Sequence, residues 1–328
     1  MRFLIIGLGS MGKRRIRCLK ALGFNDIIGF DPRIDRIDES NAKYKIEITN
    51  NFNSIDLKKI NAFIISTPPD KHTDYINIAI QNKKPAFVEA SVVIEGLEEL
   101  NKTAKSEQIF IAPSCTLQFH PLIKEIKKTV NSNKYGKVTN FTYHSGNFLP
   151  DWHPWEKVSD FYVSNRKTGG AREIVPFELT WICDILGMPN DIKGFFLKTT
   201  NVGADIEDTY AFTTKYNSYA GSIIVDVVSR YSIRNLILNM ENGQIIWRWD
   251  NSYFDLYEVE QKKWLRFNQP EGKAEAGYNK NIIEEMYIDE ISSFINHLNT
   301  KSIFPNSLDK DIEILKLLNK IEKSDGGF

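Results

Sequence analysis

The first pattern that could support binding chemistry is the glycine-rich segment GLGSMG at residues 7–12. It follows an apolar run and precedes a helix-compatible segment. In a strand–turn–helix unit, Gly7 permits a tight turn, Gly9 lets the backbone approach a pyrophosphate, and Gly12 lets the helix pack on the strand. The start of the helix offers free N–H groups to phosphates. The turn therefore predicts a dinucleotide site, with these candidate cofactor-binding residues: Gly7, Gly9, Ser10, Met11 and Gly12.

An acidic residue follows the second apolar run, where a dinucleotide fold places a ribose ligand. Asp31 lies nineteen residues after Gly12. A carboxylate there accepts bonds from the hydroxyl groups of the adenosine ribose and repels a 2′-phosphate, which favours NAD over NADP. Arg33 could accept a 2′-phosphate instead, so NADP is the alternative cofactor. A glycine-rich turn without any ligand is the remaining interpretation.

Composition and charge exclude several other classes of protein. The 328 residues include 42 basic and 42 acidic side chains, and 42% are hydrophobic, which is typical of a globular protein with two domains. The balanced charge argues against a nucleic-acid partner, and no apolar stretch approaches bilayer length. The three cysteines predict reduced thiols rather than a disulfide framework, and hence a cytoplasmic protein. The five histidines lack metal-ligand spacing, so we expect no metal site.

The first part of the chain, residues 1–118, alternates short apolar runs with helix-compatible segments. This alternation predicts an α/β fold with a doubly wound parallel sheet of the Rossmann type. Ligands bind at the carboxyl ends of the strands in such a sheet. The polar residues and turns at these predicted ends are Asp31, Ser66, Thr67, Pro68 and Glu89.

The second part, residues 119–328, predicts an α+β domain with a large open, mostly antiparallel sheet. Long runs rich in β-forming residues occupy 138–148, 192–200, 208–215, 221–231, 235–241 and 244–249. Helices are expected at 121–131, 170–186 and 281–299. A final helix over 308–323 is expected to pack back on the body through its leucine and isoleucine residues.

The chain resembles the Gfo/Idh/MocA oxidoreductase family over essentially its whole length. The landmarks are GLGSMG, STPPDKH at 66–72, FVEAS at 87–91, LQFHP at 117–121 and the pair Gly169-Gly170. The resemblance implies that the loop with Ser66, Thr67, Pro68 and His72 runs along the pyrophosphate and nicotinamide. It also implies that Glu89 lies by the nicotinamide ribose, and that open sheets pair between subunits to give a homodimer or homotetramer.

The catalytic part departs from the family pattern. Ala90 stands where the family has a lysine, and Gln118 stands where an arginine is usual. In the helix after the glycine pair, the aspartate position holds Glu173 or Ile174, and the histidine position holds Phe177. The usual lysine and histidine are therefore both absent, and another group must exchange the proton of the reacting hydroxyl.

The local chemistry favours a rebuilt site. Three charged residues on one short helix, Arg172, Glu173 and Glu178, are costly to bury unless they pair with each other or with a polar substrate. Just upstream lie two tryptophans, Trp152 and Trp155, in a segment where aromatic faces with polar rims could hold a carbohydrate ring, although a core or interface role is the alternative. The candidate catalytic residues are Glu173, His153 and Tyr162, and the candidate substrate-binding residues are Gln118, Trp152, Arg172, Phe177 and Glu178.

These observations favour an NAD-dependent oxidoreductase that acts on a hydroxyl or keto carbon of a sugar or nucleotide sugar. Two alternatives stay open. The first is a dinucleotide-binding protein without redox turnover, such as a sensor or an assembly partner. The second is an enzyme that uses bound NAD transiently for epimerisation or elimination. Net NADH production separates the leading interpretation from both alternatives.

Overall fold

A computed structural model describes residues 1–152, 156–272 and 283–327, so His153 and Trp155 lie outside the described residues. The strands are β1 (Phe3–Ile6), β2 (Ile27–Phe30), β3 (Glu47–Thr49), β4 (Ala62–Ile65), β5 (Ala86–Val88), β6 (Ile111–Pro113), β7 (Val138–Phe148), β8 (Asp191–Leu197), β9 (Thr209–Lys215), β10 (Ala220–Asp226), β11 (Val228–Met240), β12 (Gly243–Arg248), β13 (Tyr253–Glu258) and β14 (Lys263–Asn268). The helices are α1 (Ser10–Ala21), α2 (Ile34–Tyr44), α3 (His72–Gln81), α4 (Leu97–Ser106), α5 (Pro121–Asn131), α6 (Ala171–Leu186), α7 (Glu284–Thr300) and α8 (Leu308–Ser324).

The chain divides into two compact units. Unit 1 comprises Met1–Thr116 and Glu284–Glu313, and unit 2 comprises Leu117–Ile283 and Ile314–Phe328. The sequence prediction placed all of residues 119–328 in the second domain, whereas α7 groups with unit 1. The physical reason is a set of ion pairs between α7 and α1: Glu284 binds Arg14 at 2.9 Å and Arg17 at 3.0 Å.

Unit 1 contains a six-stranded parallel sheet in the order β3-β2-β1-β4-β5-β6. Its central strand, β1, is apolar and fully buried along its length, as expected for a parallel sheet covered on both faces. The predicted doubly wound fold is confirmed. Neither α2 nor β3 was predicted, and α2 buries only Ser40 and Tyr44.

Unit 2 contains an eight-stranded sheet in the order β14-β13-β12-β11-β7-β10-β9-β8. Among the described strands of unit 2, only β7 and β10 pair in parallel, so the predicted, mostly antiparallel open sheet is confirmed. On one face of β7, Phe141, Tyr143 and Ser145 are buried, and Trp181 of α6 meets Tyr143 edge-on. The opposite face carries exposed apolar side chains, including Phe195 at 62% and Trp264 at 52% exposure.

The strand pattern of unit 2 differs in part from the sequence prediction. The run expected to continue over 221–231 breaks after Asp226, whose carboxylate accepts the backbone N–H groups of Val228 and Ser229 at 3.0 and 2.8 Å. An aspartate that binds its own backbone in this way forms a turn, and β11 begins beyond it. The hairpin of β13 and β14 was not predicted at all.

No helix of the described residues has the length and apolar character needed to cross a membrane. Cys18, Cys115 and Cys183 are present as thiols and not as disulfides.

Candidate active site

The glycine-rich turn connects β1 to α1, and its three glycines serve different purposes. Gly7 has φ of +92°, and a Cβ there would lie 2.5 Å from the carbonyl oxygen of Ser66. A Cβ on Gly12 would lie 1.8 Å from the carbonyl oxygen of Gly7. Packing inside the protein therefore requires Gly7 and Gly12.

Gly9 has no such internal explanation. Its φ is −68°, a value open to any residue, and the nearest atoms to an added Cβ belong to the Arg36 guanidinium, at 3.6 Å or more. The missing side chain leaves space directly at the start of α1, which has no side-chain cap. A pyrophosphate fits this place because the first N–H groups of a helix bind anions. The residues present thus fit a dinucleotide.

Asp31 lies immediately after β2 with its carboxylate turned towards the turn. One oxygen, Oδ2, accepts the N–H of Leu8 at 2.7 Å, and Oδ1 accepts the N–H of Arg33 at 2.9 Å. A carboxylate has about four acceptor positions, so capacity remains for ribose hydroxyl groups. Its negative charge opposes a 2′-phosphate at the same place.

The guanidinium group that lies against this carboxylate is that of Arg36. Arg33 forms a two-bond ion pair with Asp35, at 3.1 and 2.6 Å, on the protein surface, and this hydrogen bonding holds the pKa of Asp35 below its usual value. Arg36 lies 3.4 Å from Oδ2 of Asp31 and beside Gly9. Arg36 was missed from the sequence because α2, which brings it back towards the turn, was not predicted.

The loop after β4 is held from within. His72 is buried at the start of α3, and its neutral ring donates from Nε2 to the carbonyl oxygen of Thr67 at 3.0 Å. Burial lowers the pKa of His72 to about 4, so the ring is uncharged at neutral pH. Ser66 is joined to β1 through its N–H, which donates to Ile6 at 2.7 Å. His72 therefore braces the backbone of the loop rather than presenting a charge.

Glu89 follows β5 and joins a buried cluster of charges. Its two oxygens accept a two-bond contact from Arg15 at 2.7 and 2.9 Å, and Ser66 Oγ lies 3.3 Å away. Arg15 also binds Glu290 of α7 at 2.9 Å. The next residue is Ala90, which has no group able to exchange a proton.

In unit 2, the glycine pair before α6 is a packing requirement. A Cβ on Gly169 would lie 2.0 Å from the carbonyl oxygen of Val163, and Gly170 has φ of +65°. The chain thereby turns sharply into α6 and places Glu173 in the first turn of the helix. The backbone geometry of the glycine pair therefore determines the position of the Glu173 side chain.

Glu173 pairs with Tyr162. The Tyr162 hydroxyl donates to Oε1 of Glu173 at 2.6 Å, and Thr168 Oγ1 holds the Tyr162 backbone carbonyl at 2.9 Å. The other carboxyl oxygen, Oε2, is inaccessible to solvent and has no partner among the described residues. Burial raises the pKa of Glu173 to about 7, against the opposing effect of the Tyr162 hydrogen bond. A carboxyl group with this pKa can both accept and release a proton near neutral pH.

Arg172 and Glu178, which lie on the same helix, are engaged within unit 2. Arg172 binds Glu322 of α8 at 2.7 Å and the carbonyl oxygen of Lys167 at 2.6 Å. The carboxylate of Glu178 is fully buried and accepts four hydrogen bonds, from Tyr143 at 2.6 Å, Ser145 at 2.9 Å, Trp181 at 2.8 Å and Arg234 at 2.8 Å. These partners explain how the charges are tolerated and favour a positioning role for Arg172 and Glu178.

The remaining substrate-binding candidates have mixed surroundings. Gln118 donates from Nε2 to the carbonyl oxygen of Thr180 at 3.2 Å, and its Oε1 is buried without a partner among the described residues. Phe177 is half-buried on α6. The indole N–H of Trp152 donates to the side chain of Asn147. In the described parts of the chain, no group of three or more His, Cys, Asp or Glu side chains could hold a metal ion.

Comparison with known proteins adds an independent line of evidence. Residues 1–112 match the model of the Gfo/Idh/MocA family, described as an oxidoreductase family with an NAD-binding Rossmann fold. A search of curated proteins found no match to the sequence.

Solved structures resemble the chain over nearly its full length. An oxidoreductase from Agrobacterium radiobacter, in complex with NAD+, L-tartaric acid and magnesium, superposes with a TM-score of 0.87 at 12% identity, covering 99% of this chain and 96% of that one. Levoglucosan dehydrogenase in complex with NADH gives a TM-score of 0.84 at 14% identity, with 99% and 97% covered. UDP-N-acetylglucosamine 3-dehydrogenase GnnA from Acidithiobacillus ferrooxidans gives 0.80 at 14% identity, with 99% and 97% covered. Residues 1–112 therefore match the NAD-binding Rossmann fold of the Gfo/Idh/MocA oxidoreductase family, and the chain as a whole has the fold of these solved oxidoreductases.

Proposed function

We propose that this protein is an NAD-dependent dehydrogenase or reductase that acts on a hydroxyl or keto carbon of a sugar or nucleotide sugar. The observation that carries the proposal is the carboxyl group of Glu173, with a pKa of about 7, one oxygen bound to Tyr162 and the other without a partner in the described structure. An oxidoreductase of alcohols needs such a group to exchange the hydroxyl proton.

The cofactor is assigned to unit 1. The open space at Gly9 and the start of α1 would hold the pyrophosphate, and Asp31 would bind the adenosine ribose. Glu89 and the loop from Ser66 to His72 would lie along the nicotinamide half. Bound NAD supplies the acceptor or donor of the hydride. NADP is the second candidate, since Arg36 lies near Asp31.

The proton is assigned to Glu173. During oxidation of an alcohol, the carbon loses a hydride and the hydroxyl group loses a proton, which the ionised carboxylate takes up. During reduction, the protonated carboxyl group returns the proton to the oxygen. Because Ala90 and Phe177 replace the family's lysine and histidine, neither of those positions can do this. His153 stays a rival candidate, and we assign Tyr162 the role of orienting Glu173 by its hydrogen bond.

The substrate class rests on the nature of the related proteins and on the aromatic residues of unit 2. One solved relative is named for levoglucosan and another for UDP-N-acetylglucosamine, both carbohydrates. Trp152, Phe177 and Gln118 would offer apolar faces and an amide to a polyhydroxylated ring. Arg172 and Glu178 would act behind them by holding α6 in place, since their charges are paired inside unit 2.

We further propose a homodimer or homotetramer that pairs through the open sheet of unit 2. The face opposite α6 exposes an unusual set of large apolar side chains for a protein surface: Phe195, Leu197, Ile224, Ile237 and Trp264. A cytoplasmic location goes with this proposal, since the three cysteines are thiols that form no disulfide.

The proposal is tested by incubating the protein with NAD and a panel of levoglucosan, free hexoses and UDP-N-acetylglucosamine, and by following the absorbance of the reduced nicotinamide. Sugar-dependent formation of NADH supports the proposal. Sugar turnover without net NADH would indicate transient use of the cofactor, and NAD binding without turnover of any sugar would indicate a binding protein.

A further inference from the structure

A buried chain of charges connects the helix of the phosphate-binding turn to the carboxyl end of β5. Arg15 of α1 is 0% exposed and stands between two glutamates. Its Nε and Nη2 atoms bind the two oxygens of Glu89 at 2.7 and 2.9 Å, and Nη2 also lies 2.9 Å from Oε2 of Glu290. The guanidinium group is thus shared by one carboxylate on β5's end and one on α7.

Glu290, at one end of this cluster of charges, is held by several hydrogen bonds. Glu290 is fully buried and accepts bonds from Ser114 Oγ at 2.9 Å, from the N–H of Cys115 at 2.6 Å and from Thr116 Oγ1 at 2.7 Å. With Arg15 as a further donor, the four acceptor positions of this carboxylate are all used. Glu290 therefore fixes Arg15 in space.

The near end is different, because Glu89 keeps contact with solvent. Its side chain is 13% exposed, at the carboxyl edge of the parallel sheet where ligands of this fold bind. Arg15 also lies over the ring of Phe87, with its Cζ atom 4.5 Å from the ring centroid, which limits its movement. Glu290 is thus closed off from solvent, Arg15 is held in place, and Glu89 is the one member of the cluster that is accessible to a ligand.

Stability alone does not explain this cluster. Replacing buried ion pairs by apolar residues of similar volume is often neutral or stabilising. The Nη1 group of Arg15 is moreover buried without a partner among the described residues, which is a cost to the folded state. A cluster that is expensive to bury and ends at a ligand-binding edge points to a role in binding.

We propose that Arg15 is a positioning residue that holds the Glu89 side chain aimed at the second ribose of the dinucleotide. The inference rests on the proposed function, in which Glu89 lies along the nicotinamide half of the cofactor. It assigns to α1 two tasks, since the same helix binds the pyrophosphate at its start and orients the acceptor of the ribose hydroxyls one turn later.

The test compares NAD, ADP-ribose and ADP as titrants of the purified protein. ADP-ribose contains the second ribose and ADP lacks it, so the three ligands separate the Glu89 contact from the contacts of the adenosine half. Arg15→Met would leave the buried carboxylate of Glu290 without its cation. The main variant is therefore the double substitution Arg15→Met with Glu290→Gln, which removes both of these buried charges. Glu89→Gln is the second variant, and Arg17→Met is the control, since Arg17 also pairs with α7 but through Glu284.

We expect the double variant and Glu89→Gln to bind NAD and ADP-ribose about 10- to 100-fold more weakly, the range for a lost hydrogen bond to a charged group. ADP affinity should stay as in the wild type, and Arg17→Met should change none of the three. Equal weakening of ADP and NAD would show that Arg15 only stabilises α1, and unchanged NAD affinity would remove the role; both overturn the inference. A wild type that binds ADP-ribose and NAD no more tightly than ADP overturns it as well, while a wild type that binds none of the three refutes the proposed function itself.

Discussion

The hydroxyl group of Tyr162 donates a 2.6 Å hydrogen bond to Oε1 of Glu173, eleven positions further along the chain. The bond joins a short turn before the glycine pair to the first turn of α6. It stabilises the ionised carboxylate, whereas burial stabilises the protonated one, and the balance gives a pKa of about 7. The pair therefore sets the pH at which Glu173 changes from acid to base.

Removing the Tyr162 hydroxyl should shift this balance. In Tyr162→Phe the carboxylate loses a donor, so the pKa of Glu173 should rise above 7. Oxidation needs the ionised base, so its rate should rise with pH. The rising limb of the pH–rate profile should lie at higher pH than in the wild type. The measurement is the pH dependence of sugar oxidation, with Tyr231→Phe, an exposed tyrosine, as the control. A limb at the wild-type position would exclude Tyr162 as the partner that tunes Glu173.

Glu173 should also make stability depend on pH. Its folded-state pKa of about 7 exceeds the usual 4.5, so its protonated form favours folding. The contribution of protonated Glu173 to the free energy of unfolding is fully present below pH 4.5 and is lost as the pH rises through 7. Glu173→Gln does not titrate, so its melting temperature should gain on that of the wild type across this window. A constant difference in melting temperature between the two proteins from pH 4.5 to 7 would contradict the raised pKa of Glu173. Any titration of Asp311 is common to both proteins and cancels in this difference.

Cofactor choice should depend on Asp31 and Arg36. We expect NAD to stabilise the wild type more than NADP at equal excess of ligand, because the Asp31 carboxylate repels a 2′-phosphate. Arg36→Gln should weaken NADP binding by about tenfold, the effect of losing one charge-assisted hydrogen bond, and should weaken NAD binding less. Arg33→Gln is the matched control, since Arg33 is engaged by Asp35. An equal or larger thermal shift with NADP in the wild type would argue against the assignment of Asp31.

The two kinds of glycine in the turn should respond differently to substitution. Gly9→Val should leave the melting temperature nearly unchanged and remove NAD binding, because the new side chain has room in the protein but fills the place of the pyrophosphate. Gly12→Ala should instead destabilise the fold, since its Cβ would lie 1.8 Å from the carbonyl oxygen of Gly7. Thermal melts and fluorescence titration with NAD measure both effects. Wild-type NAD affinity in Gly9→Val would mean that the turn binds no cofactor.

The parts of the site that depend on local sequence could be predicted from it. The glycine-rich turn and Asp31 follow from spacing within one strand–turn–helix–strand unit, and Glu173 follows from its place just after a glycine pair. The parallel sheet was predictable because its buried strands are continuous apolar runs. By contrast, α2 and β3 carry too few buried residues to leave a pattern.

The contacts that orient these groups could not be predicted. Arg15 and Glu89 are 74 positions apart, and Arg172 and Glu322 are 150 positions apart, so their pairing exists only once distant elements meet. From the sequence, Arg172 and Glu178 were expected to pair with each other, with Glu173 or with a polar substrate. The folded chain supplies those partners from α8 and from the sheet of unit 2.

The central claim is that Glu173 exchanges the substrate proton in an NAD-dependent oxidation. It is tested most directly by single-turnover reduction of NAD by an active sugar of the panel, compared between the wild type, Glu173→Gln and the exposed control Glu260→Gln. The account predicts a rate about 100-fold lower or more in Glu173→Gln, with NAD affinity and folding retained and with the pH-dependent limb lost. A Glu173→Gln protein that reduces NAD at the rate of the wild type would contradict the account.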